Sequence, residues 1–219
     1  MTFPTTPIQT AYRRDVLFAV ELLDPATFEI VSNGVHVQTT GLNGEPRLNR
    51  SGQFVWLSET ATPLHVLVDP GDLPYESEDR LAPLPPSRLL RIVLRPKPGY
   101  SAGSGITSVS GSLYESAPPN KAGVASTDVW LEWRDASGGP NGPWTKAAPP
   151  KSRTAASGDF VTLLRFDASR VPELDASNRL RARLGFDRAG AVPPVRSTPE
   201  FSLSQGRPHD LAPFAWDTL

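Results

Sequence analysis

Twenty-four prolines and 17 glycines punctuate the 219-residue chain along its whole length. Proline removes a backbone donor and clashes with the preceding helical turn, so helix interiors do not accept it. Few windows of helical length are free of both residues. The longest, around residues 14–23 and 177–188, read better as strands. Val16-Leu17-Phe18-Ala19-Val20-Glu21-Leu22-Leu23 is rich in strand formers and stops at the turn-forming pair Asp24-Pro25. Residues 178–186 alternate polar and apolar, which directs Leu180, Ala182, Leu184 and Phe186 to one face. Further short runs at 34–39, 52–57, 64–68, 89–94, 108–114, 128–133, 159–166 and 201–203 are each bounded by turn residues. Regular short strands separated by turns predict an all-β chain of sandwich or barrel type.

The densest punctuation lies mid-chain, where Pro96-Lys97-Pro98-Gly99 runs into Ser101-Ala102-Gly103-Ser104-Gly105. That stretch predicts a linker over 97–105 between two sandwich domains, 14–96 and 106–205, with arms at 1–13 and 206–219. A weak internal repeat agrees with the division. Ser51-Gly52-Gln53-Phe54-Val55 in the first half resembles Ser157-Gly158-Asp159-Phe160-Val161 in the second. Upstream of these, Gly34-Val35-His36-Val37-Gln38 parallels Asp128-Val129-Trp130-Leu131-Glu132. In each copy Ser-Gly makes a tight turn and the aromatic two positions later enters the core of the next strand.

Three segments of the second half carry a family likeness. They are Val109-Ser110-Gly111-Ser112-Leu113, then Ala122-Gly123-Val124 leading into Val129-Trp130-Leu131, then Thr154-Ala155-Ala156-Ser157-Gly158-Asp159-Phe160. In this order they resemble the carboxypeptidase-regulatory-like or transthyretin-like family, over residues 104–188. The chain departs from that pattern at Ser126-Thr127 and in an insertion over 138–150. The resemblance implies a seven-stranded immunoglobulin-like β-sandwich, with a more distant copy in the first half. It also implies a non-enzymatic accessory role and hence no catalytic residues to transfer.

Composition closes several other routes. Hydrophobic residues make up 38% and charged residues 21%, enough for a core and too apolar for wholesale disorder. Twenty-two basic against 23 acidic side chains leave a net charge of −1, without the basic face that nucleic acid or an anionic membrane requires. Cysteine is absent, which excludes disulfides and thiolate chemistry. Arg13-Arg14 precedes a short apolar run that Glu21 interrupts, so the expectation is cytoplasmic synthesis without a signal peptide. His36 and His65 could meet across strands, yet outward polar strand positions explain them, and His209 lies apart in the C-terminal arm. Asp69-Pro70-Gly71-Asp72 lacks calcium-loop spacing and reads as a turn. Glu76, Glu78 and Asp79 beside Arg80 read as solvated surface, although a hydrolase would have to rest on such carboxylates. Gly103-Ser104-Gly105 lacks the strand and histidine of a nucleophile elbow. No catalytic, metal or cofactor site is predicted.

Aromatic and apolar residues at unusual places point to binding instead. Trp130 and Trp133 share a strand at opposite parity, so one is core and the other, with Trp144, could form a platform for sugar rings. The two arms carry Phe3, Ile8 and Tyr12, and Leu211, Phe214 and Trp216, in segments where free tails avoid large apolar groups. The C-terminal arm either packs on its own sandwich or docks on a neighbour. The function expected is a non-enzymatic structural protein that binds other subunits, or further copies of itself, through sandwich edges and these arms. By analogy of fold it would belong to a large bacterial or phage-derived particle. The alternative is a carbohydrate-binding or adhesion module using Trp130, Trp133 and Trp144.

Overall fold

A computed structural model describes residues 16–42, 44–57, 64–82, 88–116, 122–138, 142–148, 151–166 and 169–219. These residues form seventeen strands and two single turns of 3₁₀ helix, Ala136–Gly138 and Trp216–Thr218. The all-β expectation holds. Among the described residues no helix is long and apolar enough to cross a membrane.

Four sheets pack in sandwich-like fashion around two clusters of buried apolar side chains. In the first, β3 (Arg47–Leu48), β4 (Phe54–Trp56), β1 (Phe18–Leu23) and β7 (Leu89–Val93) lie side by side. They face a sheet of β2 (His36–Thr40), β5 (Leu64–Asp69) and β6 (Glu78–Ala82). Phe18, Val20, Leu22, Phe54, Trp56 and Ile92 from one sheet meet Val37, Val66 and Val68 from the other. In the second sandwich, β9 (Asp128–Arg134) and β13 (Leu180–Asp187) are central. They are extended by β10 (Trp144–Lys146), β11 (Ser152–Arg153), β14 (Val195–Ser197) and β15 (Phe201–Leu203). Opposite lie β8 (Ser108–Tyr114), β12 (Asp159–Leu163), β16 (Pro208–Asp210) and β17 (Phe214–Ala215). As the alternation predicts, Leu180, Ala182, Leu184 and Phe186 are all fully buried.

The internal repeat extends to strand pairing. β1 runs antiparallel to β4 and parallel to β7; β8 runs antiparallel to β12 and parallel to β16. β5 pairs antiparallel with β2 and β6, and β13 pairs antiparallel with β9 and β14. The two Ser-Gly turns close alike: Gly52 N–H donates to Asn49 O at 3.1 Å, and Gly158 N–H to Ala155 O at 2.9 Å. At Gly158 φ is +86°, and a Cβ would sit 2.2 Å from the Leu113 carbonyl, so only glycine fits.

The two cores are joined more closely than a flexible linker would allow. β12 serves both: Phe160 enters the second core, whereas Val161 and Leu163, on the opposite face, enter the first. Residues 97–105, expected as a linker, carry Tyr100 and Ala102 into the first core, and Lys97 N–H donates to Pro74 O at 2.9 Å. The aromatic body of Tyr100 needs burial that a solvated linker could not supply.

The C-terminal arm belongs to the second sandwich. β16 and β17 both pair in parallel with β8 and so cover an edge that would otherwise lie open. Trp216 is buried in the second core, with Leu211 and Phe214 packed against it. Leu211, Phe214 and Trp216, expected to bind a partner, therefore rest on this chain's own sheet, because β8 offers both hydrogen bonds and apolar area at no cost in association. Arg188 and Arg196 lie 5.6 and 4.9 Å from the Trp216 ring centroid. Trp216→Ala is expected to destabilise the protein by about 3 kcal/mol, as for other large core truncations. A urea midpoint unchanged from wild type would contradict this placement.

Candidate functional site

The first strand ends in a loop, residues 24–29, built around one carboxylate. Asp24 Oδ1 accepts hydrogen bonds from the backbone N–H of Ala26 and of Thr27, each at 2.8 Å. The Thr27 hydroxyl donates to the same oxygen at 3.2 Å. Asp24 N–H donates to Glu29 O at 2.9 Å and Phe28 N–H donates to Asp24 O at 3.1 Å, closing the loop on itself. Two tyrosines distant in sequence complete the shell: Tyr75 OH donates to Oδ2 at 2.7 Å and Tyr100 OH at 2.8 Å. Their rings are buried, with centroids 5.8 Å apart.

Burial alone would push the Asp24 carboxyl upward, but donors from Thr27, Tyr75, Tyr100 and Ala26 outweigh it and hold the group below its ordinary value. Burial, and then the bond to this carboxylate, pushes both phenols up. Arg165, just beyond β12, approaches from the second sandwich. Its burial lowers the guanidinium's proton affinity, which Asp24 and Tyr100 counteract.

The product of this scaffold is Phe28. Its φ is +61°, in the left-handed region that costs a non-glycine residue about 1–2 kcal/mol. It is nonetheless 54% exposed. The Arg165 guanidinium lies 3.4 Å from the ring centroid. Phe28 forms a ridge between two concavities. One, of about 490 Å³, is lined by Glu21, Leu23, Phe28, Ile30, Arg91 and Val93. The other includes Pro25, Ile106, Arg165 and Phe166 at the seam between the sandwiches. Strain of this kind persists only where the surroundings over-determine it, and it is concentrated at binding and catalytic sites.

The residues singled out from sequence lie elsewhere. Phe3, Ile8 and Tyr12 fall outside the described residues. Trp133 is core, 5.2 Å from the Phe166 ring centroid. Trp130 faces the opposite side, as parity requires, yet it too is buried. Its indole lies against Gly185, where a Cβ would come within 2.4 Å, and Lys146 and Lys151 lie 4.2 and 5.0 Å from its centroid. Trp144 is half-buried, with Arg134 and Arg183 at 4.3 and 4.4 Å from its ring. The three tryptophans thus form no open platform. His36 stands opposite Asp69, and His65 Nδ1 lies 2.9 Å from Asp79, so the two histidines do not meet.

The acidic group is less solvated than expected. Glu78 is 4% exposed and ion-paired with Arg80 and Arg95. Burial pushes the Glu76 carboxyl up, against the nearby charges of Arg153 and Arg95. Among the described residues no three His, Cys, Asp or Glu side chains converge to hold a metal ion. Sequence reasoning took Asp24-Pro25 as a strand stop and passed over Phe28. The available signal was Phe28 and Ile30, two large apolar residues just beyond a turn. No protein-family model, curated protein or solved structure matches the chain.

Because the folded-state value of Asp24 is depressed, its stabilisation is present above the ordinary carboxylate pKa of about 3.9 and is lost as pH falls through the lower folded value. Tyr75→Phe or Tyr100→Phe should cost about 1–2 kcal/mol at pH 7 in denaturant titrations, each removing a charge-assisted donor from a half-buried acceptor. The deficit of Asp24→Asn relative to wild type should shrink as pH falls below about 4. A deficit constant from pH 7 to pH 2 would show that the carboxylate is not the stabilising group.

Proposed function

We propose that this chain is a non-catalytic docking module, a structural protein that binds a neighbouring protein subunit through the Phe28 ridge. The observation that carries the reading is an exposed aromatic ring held at positive φ by a carboxylate with five donors. Rigid, pre-ordered aromatic side chains dominate the energetics of protein interfaces, and pre-ordering cuts the entropy cost of association. A second support is mechanical. Two cores that share β12 make a body suited to setting the spacing between neighbours. The wider setting we propose is a multi-subunit particle, of phage-derived or similar kind. The doubled strand pairing is in keeping with the two immunoglobulin-like sandwiches that the family resemblance implies.

The test compares native mass for wild type and Phe28→Gly, each isolated untagged from its source, by size exclusion with light scattering. Glycine relieves the left-handed strain but loosens the unfolded chain and loses the stack on Arg165, so stability should change by no more than about 1 kcal/mol. Wild type should elute well above the 23.7 kDa of one chain, and Phe28→Gly should return to the monomer with its melting temperature nearly unchanged. A monomeric wild type, or an assembly indifferent to Phe28, would overturn the docking reading.

A further inference from the structure

On the side of Phe28 that faces the seam lies a pocket of about 340 Å³. That is near the lower end of the range ligand pockets occupy, roughly 300–1,000 Å³. The loop after β1 supplies Pro25 and Phe28, and the facing wall comes from Ile106, Arg165, Phe166 and Gln205. The wall beside Gln205 is fixed in place, because Gly206 N–H donates to the hydroxyl of the buried Thr107 at 2.7 Å. Phe28 and Phe166 keep 54% and 38% of their surface exposed, so both rings are open to a ligand.

Among the described residues that line this pocket, Arg165 alone carries a charge. The trough on the other side of Phe28 differs: its cation, Arg91, lies 2.6 Å from Glu21 Oε2 and is already matched. The acid that acts on the Arg165 charge is Asp24, and its carboxylate is engaged by five other donors. Burial strips Arg165 of hydration and lowers its proton affinity, a loss that an anion entering the pocket would make good. Phe28 covers the flat face of the guanidinium at 3.4 Å, whereas the N–H donors lie in its plane and point along its edges. An edge of this planar fork matches a carboxylate. With one cation in the wall, a monoanion is balanced and a phosphate dianion is not. The remaining walls are apolar and aromatic, so the body that carries the carboxylate must be so as well.

We propose that the seam pocket binds a small organic carboxylate, its carboxyl group on the Arg165 guanidinium and its apolar or aromatic body against Phe28, Ile106 and Phe166. The site goes beyond the docking reading and is a property of the single chain.

The probe is hydrocinnamate, titrated into the full wild-type chain by calorimetry beside its uncharged counterpart, hydrocinnamamide. The acid should bind saturably and at least about tenfold more tightly than the amide, the effect of one charge-assisted pair. Arg165→Gln should reduce the acid to the affinity of the amide. Gln205 is exposed, so Gln205→Glu leaves the fold intact while placing a like charge in the wall. It should weaken the acid and leave the amide unchanged. Equal affinity for acid and amide in wild type, or saturation by neither, would overturn the site. So would an acid indifferent to both substitutions. Tighter binding of phenyl phosphate would overturn the carboxylate as the ligand class. The acid–amide comparison uses the unaltered protein and therefore stands even where Arg165→Gln fails to fold. Free small acids and the C-termini of protein chains share this chemistry, and N-acetyl-glycyl-phenylalanine separates them. Binding tighter than hydrocinnamate supports a chain terminus as the source, and weaker binding supports a free acid. Native mass on the same samples keeps the two readings apart. A monomer that binds the acid ends the docking reading alone, and an assembly that ignores the acid ends this site alone.

Discussion

The Asp24 carboxylate is the point on which the surface of the first sandwich turns. It orders the loop after β1 through backbone donors and draws in Tyr75 and Tyr100 from remote parts of the chain. Two buried phenols require an acceptor, and an ionised acceptor makes the stronger bond. The same arrangement fixes the 97–105 segment, because Tyr100 is both a core residue and a ligand of this carboxylate. Arg165 then closes the seam from the second sandwich, stacked on Phe28. Loop shape, linker path and the approach of the two cores thus share one electrostatic centre.

The outer face of β9 and β13 illustrates a different solution to burial. Trp130 donates through Nε1 to Glu132 at 2.8 Å, and Glu132 pairs with Arg183 at 2.6 Å. Arg183 and Arg134 approach Trp144, and Arg134 continues to Glu200 at 3.2 Å. These partly buried pairs, with Glu132 itself buried, together cover two indoles without an apolar layer. An outward tryptophan in an alternating strand is therefore not a free binding surface here. Long basic side chains lay their stems and charges across it.

The architecture was legible wherever information was local. Turn residues and period-two alternation located most of the longer strands, and β8 and β15 agree with expectation to the residue. Strands such as β6, β10 and β16 were missed because Glu78–Ala82, Trp144–Lys146 and Pro208–Asp210 carry no alternation and exist only by pairing with a neighbour. The C-terminal arm shows the same limit. Its apolar residues announced that something must cover them, while the identity of the cover, β8, depended on an edge left open about a hundred positions earlier.

By itself the sequence determined an all-β chain, the inward face of the strand over 178–186 and the tight turns at Ser51-Gly52 and Ser157-Gly158. These follow from sterics and hydrophobic alternation, which act over a few residues. Tertiary structure alone decided that β12 would face two cores, that Trp130 would be covered, and that Phe28 would be held outward at positive φ. Each of these depends on contacts between distant residues, such as Tyr75 and Tyr100 with Asp24, 51 and 76 positions apart. Phenylalanine has no intrinsic preference for the left-handed region, so only the network around Asp24 places it there.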